Sequence, residues 1–201
     1  VTLGRPLPRS FFARPVDVVA RDLLGRVVRT RTPDGVVAVR LVETEAYAGE
    51  DDAASHAWRG PTPRNAVMYG PPGHLYVYFT YGMHWCANVS CEPAGRAAAV
   101  LLRAGEVIAG EDLVRTRRGA HIAHRRLASG PANLARALGL DGTWTGTDVT
   151  ARGSALEVRA GASPGQPQSV VPGPRIGITR EVERPWRFAL AGDPHVSGPR
   201  R

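Results

Sequence analysis

The sequence predicts an α+β fold: a single compact domain over residues 1–201, with a mostly antiparallel, curved sheet and short flanking helices. Three observations predict it. The chain is 43% hydrophobic and 22% charged over 201 residues, enough for one core that buries roughly 70% of the extended surface. Its β-branched runs are joined by short Pro/Gly turns as successive hairpins. Its helical patterns are short, and their order along the chain is that of an α+β rather than a doubly wound protein.

Behind Pro15, apolar side chains at Val16, Val19, Ala20, Leu23 and Leu24 recur at helical spacing, and Gly25 supplies a stop, which predicts an amphipathic helix. The period then changes. Arg26 to Arg31 and Val36 to Tyr47 are β-branched and flank Thr32-Pro33-Asp34-Gly35, so they form a hairpin. On its second strand Glu43, Glu45 and Tyr47 share one face, and Val42, Thr44 and Ala46 the other. Ala48 to Val67 is a long irregular segment, a length that in compact domains goes with function. After Gly70-Pro71-Pro72-Gly73 comes an aromatic run from Leu75 to Tyr81, then a hairpin of His84 to Cys91 and Ala97 to Ala104 about Pro93-Ala94-Gly95. Glu111 to Arg118 and Pro131 to Leu138 read as short helices, the second between Gly130 and Gly139. Leu156 to Arg159, Arg175 to Ile178 and Trp186 to Ala191 complete the sheet, with Gly161 to Pro174 as a surface loop. Internal repeats are absent.

All 26 basic residues are arginine and none is lysine, so the net charge of +8 rests on guanidinium groups. A Walker A loop, a protein-kinase site, a pyridoxal Schiff base and lysine-amine lyase chemistry each need a lysine, and all are excluded. The positive balance favours a polyanionic partner, because each phosphate neutralised releases condensed counterions. Cys86 and Cys91 make no disulfide framework and read as reduced core thiols. No window has the apolar length of a membrane span, and Val1 to Arg9 has no signal-peptide core. The expectation is a cytoplasmic protein, nucleoid-associated in a prokaryotic cell, with no membrane contact. With neither a heptad seam nor a long apolar face, the expected state is a monomer.

Five carboxylates, Glu43, Glu45, Glu50, Asp51 and Asp52, fall together without one arginine. In a protein that holds a polyanion such a run opposes binding, and chemistry is one reason for it. Glu43 and Glu45 stand two strand residues apart, about 7 Å between Cα atoms, a separation that glycosidic-bond hydrolysis uses and that a structural pair with arginines also explains. Three of the five tyrosines, Tyr76, Tyr78 and Tyr81, lie in one stretch, and Tyr47 ends the carboxylate strand. So many hydroxyls are costly to bury in a core, whereas aromatic faces stack on nucleobases at about 1–3 kcal/mol each. His56, His74, His84, Cys86 and Cys91 lack zinc spacing, so no metal is expected. His121 and His124 sit among five arginines, a solvated face or a phosphate contact. Leu127 to Leu134 matches a helix-hairpin-helix motif only faintly, with Ala132 where its second glycine belongs, but a helix start at Gly130 can receive a phosphate through free amides.

Taken together, Val42-Glu43-Thr44-Glu45-Ala46-Tyr47, His56, Thr62-Pro63-Arg64-Asn65, Leu75-Tyr76-Val77-Tyr78, Tyr81-Gly82-Met83, Cys86-Ala87-Asn88-Val89-Ser90 and Val100-Leu101-Leu102-Arg103-Ala104 resemble the alkyladenine (3-methyladenine) DNA glycosylase family. The likeness continues through Gly130-Pro131, Arg175-Ile176-Gly177-Ile178 and Pro185-Trp186-Arg187-Phe188, nearly the whole chain. It implies a single α+β domain without metal or cofactor that excises alkylated or deaminated purines from double-stranded DNA. By this resemblance Glu45 is the general base that activates water, and Arg103 orients it, with the backbone carbonyl of Ile178 a third holder. Tyr47 and Tyr78 sandwich the extruded base, His56 hydrogen-bonds near its sugar or purine edge, and Asn88 crowds out the 2-amino group of guanine. Tyr81 is the wedge that enters the duplex, with Met83 beside it, and Thr62, Arg64 and Gly130 meet the DNA backbone. Glu43 is an electrostatic neighbour or a partner for an arginine. The chain departs from the family at His84, where an aromatic residue is common, and in a compact region after Ala120; both bear on substrate range.

Extruding a base costs a few kcal/mol, least for a damaged one, and stacking plus a wedge recovers a similar amount. A cationic purine leaves readily, whereas a neutral one such as hypoxanthine needs its leaving nitrogen protonated. Without lysine the amine for a Schiff base is absent except at Val1, so a monofunctional, water-using enzyme that leaves an abasic site is expected; Val1 also suggests a native start upstream. A non-catalytic damaged-DNA-binding protein would use the same arginines and tyrosines without Glu45. A carbohydrate glycosidase would use Glu43 and Glu45 but would not need a charge of +8.

Overall fold

The computed structural model describes residues 3–161 and 169–198. Two short helices, α1 (Arg9–Phe12) and α2 (Val16–Asp22), precede a long hairpin of β1 (Val27–Thr32) and β2 (Gly35–Tyr47). An irregular stretch with single 3-10 turns at Gly49–Asp51 and Ala66–Tyr69 leads into β3 (Leu75–Thr80), β4 (His84–Ser90) and β5 (Ala99–Ala109). Then come α3 (Glu111–Arg118), the two-residue β6 (Ala128–Ser129), α4 (Pro131–Leu138), β7 (Leu156–Arg159), β8 (Val170–Gly173) and β9 (Arg187–Leu190). They form one sheet in the order β3-β4-β5-β2-β1-β7, with β6 on β5, β9 on β2 and β8 on β9. Every ladder among the described residues is antiparallel.

Local chemistry accounts for the helices. In α2, Val16, Val19 and Ala20 are buried behind Pro15. In α4, Pro131 occupies the first turn, where its missing N–H costs nothing, and Gly139 closes the helix in the left-handed region. The buried face of α4, Leu134, Ala135, Ala137 and Leu138, packs into the main core with Leu102, Val107 and Leu127. Acidic residues open α3 and arginines end it, matching the helix dipole.

β2 positions the site. Along one edge it pairs with β1 through Arg40; from Glu43 to Glu45 that edge passes to β9. Its other edge pairs with β5 throughout, with register slips on both sides of Glu43. The acidic segment is therefore central in the sheet, and Glu43 and Glu45 are both fully buried.

Several expectations change. The α1 turn is too short for periodicity to reveal, although Phe12 in it is fully buried. β8 occupies Val170–Gly173 inside the expected loop of residues 161–174, of which 162–168 lie outside the described residues, as does Val1. Pro172 is compatible with that strand because β8 pairs only with β9 and loses no ladder bond on its free edge. Residues 175–178 form a bend instead of a strand. There the Ile176 N–H donates to Glu45, Arg175 turns inward to Asp52, and Gly177 has φ +79°. β5 also runs past Ala104 to Ala109, since Gly105 has no side chain to strike the Arg40 carbonyl, 2.5 Å from where a Cβ would stand. Within 127–134 the two-residue β6 is followed by the start of α4, not a helical hairpin. No helix among the described residues is long and apolar enough to cross a membrane.

Candidate active site

At the β2–β5 end of the sheet lies a cavity of about 410 Å³. Tyr47 from β2, Tyr76 and Tyr78 from β3, Cys86 and Asn88 from β4, and Leu101 and Arg103 from β5 line it. His56 comes from the irregular stretch, and Ile176, Gly177 and Ile178 from the bend before β9. Period two is the reason: alternate residues of β3, β4 and β5 face the cavity while Val77, Ala87, Val89, Val100 and Leu102 face the core.

Glu45 stands behind this wall. Its Oε1 accepts from the Ile176 N–H at 2.8 Å and lies 3.2 Å from Arg103 Nη1; its Oε2 accepts from the Tyr47 hydroxyl at 2.8 Å. A carboxylate oxygen can accept two hydrogen bonds, so Oε2 keeps a lone pair for a water molecule. Burial, the Glu45 charge and this hydrogen bond push the Tyr47 hydroxyl well above the usual phenol range, so it stays a donor. On the Arg103 side, burial disfavours the guanidinium, but the Glu45 and Glu43 carboxylates outweigh it and keep it charged.

Arginines distant in sequence answer the acidic run. Glu43 accepts from Arg103 Nε at 3.0 Å and Arg187 Nε at 2.5 Å. Asp52 takes both terminal nitrogens of Arg175, and both side chains are fully buried. Burial alone would raise both carboxyls, but Arg103, Ser197 and Arg187 hold Glu43 below its ordinary value, and Arg175 holds Asp52 below its own. The Arg175 guanidinium also lies over the Tyr47 ring, 4.6 Å from its centroid, so one ion pair supports both the aromatic wall and the bend that carries Ile176.

The opposite wall is aromatic. His56 meets Tyr78 edge-on with centroids 4.4 Å apart, and its Nδ1 is 3.0 Å from the Tyr76 hydroxyl. Burial and the Arg64 charge depress the His56 pKa, which favours the neutral ring. The Arg64 guanidinium lies over the Tyr78 ring and donates to the Phe79 carbonyl, so a positive charge flanks this aromatic wall. Asn65 fixes this loop: buried, it donates to the carbonyls of His56 and Gly60 and accepts from the Thr62 N–H. Asn88 is buried in the floor, its Nδ2 donating to the Tyr76 carbonyl at 3.1 Å. Cys91 is a free thiol of the main core, whereas Cys86, expected there too, lines the cavity beside Tyr78. Among the described residues no group of three or more His, Cys, Asp or Glu is arranged to hold a metal ion.

The sequence model of the methylpurine-DNA glycosylase family matches residues 10–194. The chain belongs to that family. A relative from Streptomyces avermitilis, provisionally named 3-methyladenine DNA glycosylase, is 54% identical over 194 residues, 96% of this chain and 91% of its own. Relatives from Frankia casuarinae and Burkholderia lata with the same provisional name are 52% and 47% identical, over 95% and 98% of this chain and 92% and 93% of theirs. The protein is thus a DNA N-glycosylase of base excision repair, and damaged DNA is its substrate.

Of the remaining sequence-predicted residues of the glycosylase, Tyr81 lines the cavity, Met83 lines a neighbouring groove and Gly130 a third pocket. Tyr81 is 81% exposed and Met83 69% exposed on the turn between β3 and β4. Tyr81 and Gly82 both have positive φ, and the Met83 N–H closes the turn on the Thr80 carbonyl. A non-glycine residue in that region costs about 1–2 kcal/mol, strain of the kind that collects at functional sites. Arg64 and Thr62 are exposed on the His56 loop, and Gly130 precedes α4. Beside the β3–β4 turn runs a groove lined by Met83, His84, Trp85, Arg117, Arg118 and Arg136. Arg115 and Arg117 are spent on the fold, bonding the Ala120 and Ala137 carbonyls. Sequence reasoning missed the Asp52–Arg175 pair, the Ile176 N–H, Asn65, Arg187 and Ser197. Asp52 stood in the acidic run, and Asn65, Arg175, Ile176 and Arg187 stood in the stretches that resemble the family, though without a role; Asn65 bonds locally, whereas the partners of Asp52, Ile176, Arg187 and Ser197 lie far along the chain.

Proposed function

We propose that this glycosylase hydrolyses the N-glycosidic bond of alkylated and deaminated purines in double-stranded DNA, of the 3-methyladenine and hypoxanthine type, and leaves an abasic site. Tyr81, with Met83, enters the duplex gap as the lesion swings out, and Arg64, Thr62 and Gly130 take backbone phosphates. Tyr47 and Tyr78 stack on the extruded base, His56 hydrogen-bonds near its sugar or purine edge, and Asn88 crowds out a 2-amino group. Glu45 takes a proton from water as its oxygen attacks C1′ and the bond to the purine nitrogen breaks; Arg103 and the Ile178 carbonyl orient that water. A cationic purine leaves as a neutral base, and a neutral purine first takes a proton from solvent on the ring and then leaves as the neutral base. The observation that supports this most directly is Glu45 itself, a fully buried carboxylate tied on both oxygens to the wall of an aromatic cavity. The lysine-free sequence, with no side-chain amine for a Schiff base, supports a monofunctional enzyme. It works as a monomer without metal or cofactor, in the cytoplasm on the nucleoid of a prokaryotic cell.

The test is single-turnover excision with saturating enzyme on an end-labelled hypoxanthine duplex and on methylated DNA, with abasic sites developed by hot alkali. The parent releases base, and Glu45→Gln loses about 10²–10⁴-fold while still binding DNA. An active Glu45→Gln would refute the base assignment, and strand breaks before alkali or a borohydride-trapped complex would refute the monofunctional reading.

A further inference from the structure

Beyond β9 the chain returns to the back of the cavity, where Ser197 touches three charged side chains. Its N–H donates to Glu43 Oε2 at 2.8 Å, its Oγ accepts from Arg103 Nη2 at 3.3 Å, and its carbonyl accepts from Arg187 Nη2 at 3.2 Å. Glu43 is fully buried, does not line the cavity and accepts from Nε of both arginines. Arg103 thus spans two carboxylates, with Nε on Glu43 and Nη1 on Glu45. A guanidinium is a rigid planar fork, so holding Nε and Nη2 fixes the direction of Nη1. Glu43 cannot reach a substrate through this packing, and Ser197 faces a pocket beside Gly130 that is separate from the cavity.

We propose that Glu43 and Ser197 are positioning residues for hydrolysis: together they hold the Arg103 guanidinium in the plane that presents Nη1 to Glu45, and Glu43 cancels one of the two arginine charges facing that carboxylate. The inference rests on Glu45 being the base. The groups around Glu45 are Tyr47 on its own strand, Arg103 on β5, Arg187 as its register partner on β9, Tyr78 on β3, and the Ile176 N–H with the Arg175–Asp52 pair behind Tyr47. Replacing Glu43 by Gln removes the carboxylate behind this set and, with Arg175 paired to Asp52, leaves the Arg103 and Arg187 guanidinium groups against Glu45 alone. Glu45 then binds its proton less tightly and is a weaker base.

The experiment is the single-turnover rate against pH, at saturating enzyme, for variants whose folding is checked by circular dichroism and DNA binding. Glu43→Gln is expected to lose at least about tenfold at neutral pH, on the scale of a charged hydrogen bond, and the parent-to-variant ratio should shrink as pH falls because the acid limb has moved down. Adding Arg187→Gln restores the charge balance and should return the limb toward the parent's position. Ser197→Ala removes only the Oγ acceptor; it should cost about three- to tenfold with the limb unmoved, and it carries the test if Glu43→Gln does not fold. A folded Glu43→Gln with parental rate, or a ratio flat across pH, overturns the role of Glu43, and a parental rate in Ser197→Ala overturns that of Ser197. In each case an inactive Glu45→Gln leaves the base assignment standing, whereas an active Glu45→Gln removes the base itself.

Discussion

Replacing Asp52 by Asn isolates what the buried ion pair contributes. Asp52 accepts both terminal nitrogens of Arg175 and the backbone N–H groups of Ala48 and Ala54, and Arg175 also donates to the Ala46 carbonyl. Asn retains one acceptor oxygen and turns an NH₂ toward groups that are themselves donors, so a buried guanidinium is left without its counter-charge. Breaking such a pair from one side costs about 3–5 kcal/mol, against a total of about 5–15 kcal/mol for a domain. At about 2–4 °C per kcal/mol for a domain this size, the melting temperature should fall by about 10 °C. Because the Arg175 bend carries the Ile176 N–H to Glu45, excision should fall with it. The sign with pH follows from the depressed carboxyl: Asp52 stabilises the fold fully above the unfolded aspartate value near 3.9 and loses that contribution as pH drops toward its lower folded value. The stability gap between parent and Asp52→Asn is therefore widest near neutrality and closes below about pH 4. Urea unfolding across pH, with single-turnover excision at 25 °C, measures both effects. A gap under about 1 kcal/mol at pH 7, or one that widens in acid, would refute the reasoning.

Two other changes probe the DNA side. Tyr81→Ala should change the unfolding free energy by no more than the about 0.5 kcal/mol expected of a surface change and lower excision about 10–100-fold by weakening the flipped state; equal losses of stability and rate would argue against a wedge. Arg118→Gln with Arg136→Gln, in the groove beside that turn, should flatten the slope of log affinity against log salt by about 0.9 for each phosphate no longer neutralised; an unchanged slope would place the duplex elsewhere.

The local chemistry of the chain determined much of the fold. Pro15, Gly25, Pro131 and Gly139 bracket the helices, and Thr32 to Gly35 sets the first hairpin, because capping and turn geometry depend on neighbouring residues alone. The aromatic and acidic clusters on β2 and β3 were legible for the same reason, since a period of two places Glu45 beside Tyr47 and Tyr76 beside Tyr78. The family likeness extended this to Arg103, His56 and Asn88, which the fold brings around one cavity. Residues 175–178 read as a strand because their pattern is apolar, yet the Ile176 N–H finds a better acceptor in Glu45 than in a ladder. The ion pairs Asp52–Arg175 and Glu43–Arg187, and the return of Ser197 to Arg103, join residues more than 90 positions apart. Such partners are chosen by the need to neutralise buried charge once the sheet has closed, a need that exists only in the folded state.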